Sequence, residues 1–310
     1  MKFAFVFPGQ GSQSVGMLNA YGDAAPIRNT LAEASDALGQ DLWSMVADGP
    51  ADLLNQTVNT QPVMLAAGVA VYRLWQSQGG AVPALMAGHS LGEYTALVCA
   101  GALNFSDAVK LVRLRAEAMQ SAVPEGVGAM AAVLGLDDDA VRAVCAEAAQ
   151  GEVLEAVNFN SPGQVVIAGN KAAVERGCIL AKEKGAKRAL PLPVSVPSHC
   201  ALMKPAAEKL RVALSSIEVK TPTVTVLHNA DVSSHASPDA IRDALARQLY
   251  SPVRWVETVQ AMSAEGIQLV AECGPGKVLA GLNKRIVDGM PGVAIADAAA
   301  LADTLEKIKA

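Results

Sequence analysis

Residues 84–94, which read Ala-Leu-Met-Ala-Gly-His-Ser-Leu-Gly-Glu-Tyr, place a serine between two glycines. The apolar residues before Gly88 predict a strand, and the residues that follow the serine, up to Gly101, predict a helix that ends at a glycine. A G-x-S-x-G turn between a strand and a helix is a nucleophile elbow, whose glycines allow the tight backbone that presents the hydroxyl of Ser90 at the top of a sheet. The start of the helix would also direct free amides toward an oxyanion near this serine. The stretch therefore predicts an α/β fold and a serine that performs acyl transfer, against the alternative of a chance match in an inert loop.

The composition describes a globular protein with enough apolar material for a sizeable core. The chain has 310 residues, of which 51% are hydrophobic and 18% charged, and this length suits two domains or one domain with an insertion. The net charge of -5 argues against a nucleic-acid partner, because binding phosphates requires a basic surface. The longest apolar stretch, residues 62–72, is shorter than the roughly twenty residues that cross a bilayer, so we expect no membrane segment. Residues 3–7 are too short an apolar run for a signal peptide, and we expect a cytoplasmic protein.

The cysteines and histidines have none of the spacings typical of metal or redox sites. The chain has five cysteines and four histidines, and it contains neither C-x-x-C nor H-E-x-x-H. An odd number of cysteines cannot all pair within one chain, which favours free thiols. We therefore expect no metal ion and no bound cofactor.

Predicted strands alternate with predicted helices along most of the chain. A buried strand is expected at residues 2–7, and a helix is expected from Thr60 to about Gln78, with Pro62 in its first turn. The strand and helix of the elbow come next. After residue 200 the pattern predicts a helix, a strand, two helices and a strand, at residues 201–216, 223–228, 238–250, 256–265 and 268–272. This alternation predicts a parallel, doubly wound sheet of the α/β-hydrolase-like type.

A second unit with a different pattern interrupts this alternation. Residues 124–196 are expected to form strands and helices in the order βαββαβ, which is the ferredoxin-like arrangement. The expected elements are strands at 129–136, 188–194 and two within 153–169, and helices at 137–150 and 171–184. We therefore predict a large α/β catalytic domain of residues 1–123 and 197–310, with a small ferredoxin-like subdomain of residues 124–196 inserted into it.

A serine nucleophile needs a general base, and the four histidines are the candidates. His89 is next to Ser90 in the sequence and cannot readily turn back onto it. His228 and His235 fall at a strand end and in a polar loop. His199 lies where the chain re-enters the large domain and directly precedes a helix, so we favour it as the base. No acidic residue stands out before it, as the α/β-hydrolase order Ser…Asp/Glu…His would require, and a backbone carbonyl is an alternative orienting group.

Arg115 occupies an unexpected place on a predicted helix at residues 106–120. It falls in the middle of an apolar stripe formed by Ala108, Leu111, Val112, Ala116 and Met119, which predicts that its guanidinium is buried. A buried arginine needs a partner. One interpretation is a structural ion pair or a side chain that reaches past the stripe to solvent. The other is a substrate carboxylate, which the planar guanidinium binds in a bidentate manner.

Taken together, these features give the chain a resemblance to a known family. The chain resembles the malonyl-CoA:acyl-carrier-protein transacylases of type II fatty-acid synthesis, which are related to the acyltransferase domains of polyketide synthases. The similarity covers nearly the whole chain, and the family also has the inserted ferredoxin-like unit. The motifs that carry it are FPGQGSQ at 7–13, TQP at 60–62, GHSLGEY at 88–94, Arg115, NFNSPGQ at 158–164, PSH at 197–199 and GPGK at 274–277.

The resemblance implies a role for individual residues. Ser90 would form the acyl-enzyme and His199 would be its base. Arg115 would hold the malonyl carboxylate, and the carbonyl of Gln248 would orient His199, which would explain the missing acid. The oxyanion hole would consist of Gln10 and the backbone amide of Leu91.

The resemblance also implies substrates and partners. These are malonyl-CoA, free coenzyme A and an acidic acyl carrier protein, and we expect a monomer that needs no cofactor. An acidic enzyme must offer such a carrier a local basic patch, and the candidates are Lys182, Lys184, Lys187 and Arg188, or Lys284 and Arg285. Two other functions stay open, a serine thioesterase or esterase with the same acyl-serine chemistry, and a non-catalytic module that binds the carrier protein.

Overall fold

The computed structural model of the protein describes residues 1–194 and 196–309. Within them the strands form two separate sheets. The strands in chain order are β1 (Phe3–Phe7), β2 (Leu85–Gly88), β3 (Gly128–Leu134), β4 (Leu154–Ser161), β5 (Gln164–Asn170), β6 (Arg188–Pro191), β7 (Thr225–Leu227), β8 (Leu269–Cys273) and β9 (Gly292–Ile295).

Helices precede or follow almost every strand, and two single 3₁₀ turns lie at Asn19–Tyr21 and Ala201–Met203. The α-helices in chain order are α1 (Ala25–Leu38), α2 (Leu42–Asp48), α3 (Ala51–Leu54), α4 (Thr57–Ser77), α5 (Leu91–Cys99), α6 (Phe105–Ser121), α7 (Asp138–Ala149), α8 (Lys171–Glu183), α9 (Lys204–Ser215), α10 (Pro238–Gln248), α11 (Trp255–Ala264), α12 (Val278–Asn283) and α13 (Ala298–Lys309).

The first sheet is parallel and has the order β7-β2-β1-β8-β9. Its central strand β1 is buried on both faces, which explains its unbroken apolar sequence. Phe5 packs edge-on against Trp75 of α4, with ring centroids 5.2 Å apart. Ala4 and Val6 lie in a second apolar cluster with Trp255 and Leu279, which belong to the helices of the other face.

The second sheet is antiparallel and has the order β4-β5-β3-β6. Helices α7 and α8 follow β3 and β5, and they pack with the sheet around one apolar cluster. The βαββαβ order is therefore present, and the predicted fold class, a parallel α/β sheet with a ferredoxin-like unit, is confirmed. The domain boundaries at residues 124 and 196 stay our proposal.

Several hydrogen bonds join the small sheet to the rest of the chain. Val253 lies beside the edge strand β4, where its N–H donates to Val157 O at 2.8 Å and its carbonyl accepts from Phe159 N–H at 3.0 Å. The ring Nε2 of His89 donates to Asn160 Oδ1 at 2.8 Å. Arg285 Nη2 donates to Gln164 Oε1 at 3.0 Å, and Glu155 Oε1 of β4 accepts from the N–H of Ala201 at 3.3 Å.

Helix α4 differs from the sequence prediction at its start. It begins at Thr57, three residues before the expected Thr60, so Pro62 lies inside the helix. A proline there removes one helical hydrogen bond. The hydroxyl of Thr60 helps to hold this end, because it donates to Leu54 O at 2.6 Å. The prediction that Pro62 lies in the first turn was therefore wrong.

Candidate active site

Ser90 lies at the turn between β2 and α5, and its backbone is in a region that L-residues rarely adopt. Its φ is 51° and its ψ is -109°. The two glycines are required by space. A Cβ on Gly88 would lie 1.9 Å from the backbone carbon of Gly92, and a Cβ on Gly92 would lie 2.0 Å from Phe7 O. The turn is therefore a nucleophile elbow built as the motif predicts.

The structure brings His199 to Ser90. His199 Nε2 lies 2.8 Å from Ser90 Oγ, and His199 Nδ1 lies 2.8 Å from the carbonyl oxygen of Gln248. A carbonyl oxygen only accepts, so Nδ1 carries the ring proton and donates it. Nε2 is then the acceptor for the hydroxyl proton of Ser90. This is the tautomer that a general base for the serine requires.

The environment of His199 keeps its ring neutral. Burial lowers the pKa of His199, and the positive charge of Arg115 lowers it further, to about 3. The hydrogen bond to the carbonyl of Gln248 opposes this shift. The imidazole can therefore accept a proton without first losing one over the whole range near neutral pH.

Arg115 is buried, as its place in the apolar stripe of α6 predicts. Its side chain is 1% exposed. Nη1 donates to Gln61 Oε1 at 2.8 Å, and Nη2 donates to Gln248 Oε1 at 2.9 Å and to Ser90 Oγ at 3.2 Å. In the described part of the chain, no carboxylate oxygen lies within 4.0 Å of its guanidinium nitrogens, so the ion pair considered from the sequence is not found there.

The two residues expected at the oxyanion hole line the same cleft. Gln10 follows β1, and Leu91 is the first residue of α5; both line the cleft with Ser90. The loop that carries Gln10 approaches the elbow closely, because a Cβ on Gly9 would lie 2.4 Å from His89 O. Across residues 1–194 and 196–309, neither backbone N–H donates to a protein acceptor. The side chain of Gln10 is turned toward Thr57, whose Oγ1 it contacts at 3.1 Å.

The cleft lies between the two sheets and has a volume of about 140 Å³. Its far wall comes from the small sheet and the segment after it, which supply apolar side chains together with Asn158 and Ser198. A short acyl chain attached to Ser90 would lie between this wall and Arg115. The apolar lining residues are Met119, Met130, Leu192, Val194 and Val196.

Sequence reasoning missed how a group of buried polar residues supports the elbow from beneath, including the side chain of Gln248. Asn229 Oδ1 accepts from the N–H of Ser90 at 2.8 Å, and the side-chain Nε2 of Gln248 donates to the carbonyl of Ser90 at 2.9 Å. Both also contact Glu93. Glu93 was visible inside the elbow motif, since a carboxylate in an otherwise apolar helix needs partners. Gln61, which holds Arg115, carried no comparable signal beyond its place in the TQP motif.

Comparison with known proteins identifies the family of the chain. The family model of the acyl transferase domain matches residues 4–305. The chain belongs to the acyltransferase family. Among curated relatives, this acyltransferase is 60% identical to the malonyl CoA-acyl carrier protein transacylase of Escherichia coli K12, over 98% of this chain and 99% of the relative. It is 44% identical to the enzyme of that name from Bacillus subtilis, over 99% and 98%.

Solved structures resemble the acyltransferase equally closely. One is an acyl-carrier-protein S-malonyltransferase from Burkholderia pseudomallei, with 64% identity, a TM-score of 0.98, and coverage of 99% of this chain and 100% of that one. Another is a malonyl-transacylase in complex with its type II PKS acyl-carrier protein, with 56% identity, a TM-score of 0.98 and the same coverage. Within its described residues, the acyltransferase has no helix that is both long and apolar enough to span a bilayer.

Proposed function

We propose that this protein transfers a malonyl group from coenzyme A to the phosphopantetheine thiol of an acyl carrier protein through a malonyl-serine intermediate. One observation carries the malonyl assignment. The guanidinium of Arg115 is buried beside Ser90 Oγ and has no carboxylate partner in the described part of the chain. A substrate that brings its own carboxylate supplies the missing counter-charge.

In the first half-reaction, Ser90 attacks the thioester carbonyl while His199 Nε2 takes the hydroxyl proton. The carbonyl oxygen becomes an oxyanion, which the amides of Gln10 and Leu91 stabilise. The carbon–sulfur bond then breaks. His199 returns the proton to the departing sulfur, so that coenzyme A leaves as the thiol and the malonyl group stays on Ser90 as an ester.

The second half-reaction uses the same groups in reverse. The thiol of the carrier protein gives its proton to His199 and attacks the ester carbonyl. Collapse of the tetrahedral intermediate returns the proton to Ser90 and releases the malonyl thioester. Arg115 holds the substrate carboxylate in both halves, and the carbonyl of Gln248 keeps the ring of His199 in the tautomer that accepts at Nε2.

We place the docking of the carrier protein along strand β6. Lys187 and Arg188 are exposed at the start of this strand, and Leu192, just beyond its end, lines the cleft. An acidic surface near these basic residues would bring a bound phosphopantetheine arm to the mouth of the site. Lys184 is a weaker candidate, because it already pairs with Glu147 at 3.5 Å.

The experiment is intact mass spectrometry after mixing with malonyl-CoA and then with holo carrier protein. The first addition should increase the mass by one malonyl group, and the second should move that group to the carrier. Ser90→Ala should abolish the adduct, whereas Ser198→Ala, which lines the same cleft, should keep it. Release of free malonate with no carrier product would identify a thioesterase instead, and an adduct on Ser90→Ala would place the nucleophile elsewhere.

A further inference from the structure

The strained backbone of Ser90 is held on both sides by side chains from another part of the chain. Its N–H donates to Asn229 Oδ1 at 2.8 Å, and its carbonyl accepts from Gln248 Nε2 at 2.9 Å. Asn229 also donates through Nδ2 to Gly88 O at 2.7 Å, at the end of β2. The two side chains therefore fix the peptide groups around the nucleophile in the conformation that a non-glycine residue rarely adopts.

Both of these residues are anchored on one carboxylate, that of Glu93, Asn229 through its backbone N–H and Gln248 through its side chain. Its Oε2 accepts from the N–H of Asn229 and from Nε2 of Gln248, each at 2.9 Å. Its Oε1 lies 2.7 Å from Nδ1 of His228. Glu93, His228, Asn229 and Gln248 are all fully buried, so these contacts are shielded from water and geometrically restrictive.

The contact with Glu93 decides which way the carboxamide of Gln248 points. Its NH₂ group donates both to Glu93 and to the carbonyl of Ser90, so its oxygen must face the other way. That oxygen accepts from Nη2 of Arg115 at 2.9 Å. The backbone carbonyl of the same glutamine accepts from His199. Gln248 thus touches the nucleophile, the base and the arginine, and Glu93 fixes its orientation.

We infer that Glu93 is a positioning residue for the acyl transfer proposed above, acting through Gln248 and Asn229 on Ser90 and Arg115. This inference rests on the proposed function for the identity of the reaction. The hydrogen bonds that carry it hold Ser90 itself, whichever acyl group is transferred. It therefore predicts the reactivity of Ser90 toward any electrophile that uses the same base. A purely structural carboxylate would change the stability of the fold and leave the reactivity of the folded protein unchanged.

The hydrogen-bond pattern predicts opposite results for two substitutions at this position. In Glu93→Gln, the new carboxamide oxygen can replace Oε2, and its NH₂ would face Nδ1 of His228. That nitrogen becomes an acceptor if the ring proton moves to Nε2, which has no hydrogen-bond partner within the described residues. In Glu93→Leu, similar in size, no acceptor remains for Asn229 or for Gln248.

The experiment measures the rate at which a neutral fluorophosphonate labels Ser90, and kcat for malonyl transfer, per folded molecule and well below each melting temperature. Glu93→Leu should lose about 100-fold in both, the scale of a displacement near 1 Å at a reacting group. Glu93→Gln should stay within about threefold of wild type in both rates, since each hydrogen bond is replaced.

The matched control is Glu272→Leu, which removes another fully buried carboxylate whose Oε2 accepts from the N–H of Ala280. It should be destabilised and keep its labelling rate.

Three results would overturn the inference. They are wild-type rates in Glu93→Leu, an equal loss in Glu272→Leu, and an equal loss in Glu93→Gln. If Glu93→Leu does not fold, Glu93→Asp withdraws the carboxylate by one methylene and should still lose at least about tenfold; wild-type rates there would also count against it. A wild-type protein that is labelled but transfers no malonyl group would refute the proposed function alone.

Discussion

Replacing Arg115 by alanine should separate malonyl transfer from the transfer of neutral acyl groups. The guanidinium is 1% exposed and donates to Gln61, Gln248 and Ser90. The proposed malonyl carboxylate would enter this buried pocket, and without the arginine it would lie there uncompensated. Acetyl-CoA brings no carboxylate, so its transfer should stay unchanged or improve, because no cation is then left unpaired beside the acyl group.

The magnitude follows from the burial of the pair. Removing one partner of a buried, hydrogen-bonded charge pair costs about 2–5 kcal/mol, which corresponds to roughly 30-fold to 5,000-fold in kcat/KM for malonyl-CoA. Arg115→Lys should recover only part of this loss, since a single ammonium cannot reproduce the two parallel hydrogen bonds of the guanidinium.

The assay is kcat/KM for both acyl-CoA substrates with holo carrier protein, on protein whose far-UV circular dichroism is unchanged. Arg113→Ala provides the matched control. It removes the same charge from the same helix, but Arg113 is only half-buried and donates to Gln40 instead of facing Ser90. The carboxylate role would have to be withdrawn if malonyl and acetyl transfer fell in parallel, or if Arg113→Ala discriminated against malonyl-CoA equally well.

Three further predictions concern pH. Because burial and Arg115 lower the pKa of His199 to about 3, labelling of Ser90 by a neutral fluorophosphonate should show no break near pH 6.5; a break there would mean that the base is not this histidine in this environment. The same shift means that the native state loses stability as the pH falls from about 6.5 toward 3, because only the unfolded chain binds the proton in this range. In His199→Asn, the melting temperature should therefore depend less on pH over that range. Burial raises the pKa of Glu272 to about 7, so between about pH 4.5 and 7 the unfolded chain releases a proton that the native state keeps, and native stability falls as the pH rises. The melting temperature of Glu272→Gln minus that of the wild type should therefore be higher at pH 8 than at pH 4.5. An equal difference at the two pH values would contradict a raised pKa for Glu272.

The features that sequence predicts well here are those that a local rule controls. The elbow needs glycine at two positions because the backbone of a neighbouring segment occupies the space of a side chain, and that requirement shows directly as G-x-S-x-G. Arg115 was found by helical periodicity, because a charged residue at a position of the apolar stripe departs visibly from the pattern. The βαββαβ unit follows from the alternation of short strands with two amphipathic helices.

The features that were missed depend on partners far away in the chain. The start of α4 at Thr57 is supported by a hydroxyl contact to the preceding short helix, while proline statistics favour a first-turn position. The two side chains that hold the backbone of Ser90 belong to Asn229 and Gln248, which follow it in the chain by 139 and 158 positions. Strand β9 and helices α2 and α3 were not predicted, because such short segments acquire a defined state only when packed on the rest of the fold. Helix α1 was also missed, although Ile27, Leu31 and Ala34 are spaced for one buried helix face.

The pairing of Val253 with β4 has a consequence for exchanging parts between relatives. This residue follows Gln248 by only five positions, so the segment that carries the carbonyl bonded to His199 is also hydrogen-bonded to the edge of the small sheet. A graft that replaced residues 124–196 alone would join a foreign sheet edge to a resident segment and shift the histidine with it. Such a chimera should also take residues 251–254 from the same donor, so that strand β4 and the segment paired with it come from one protein.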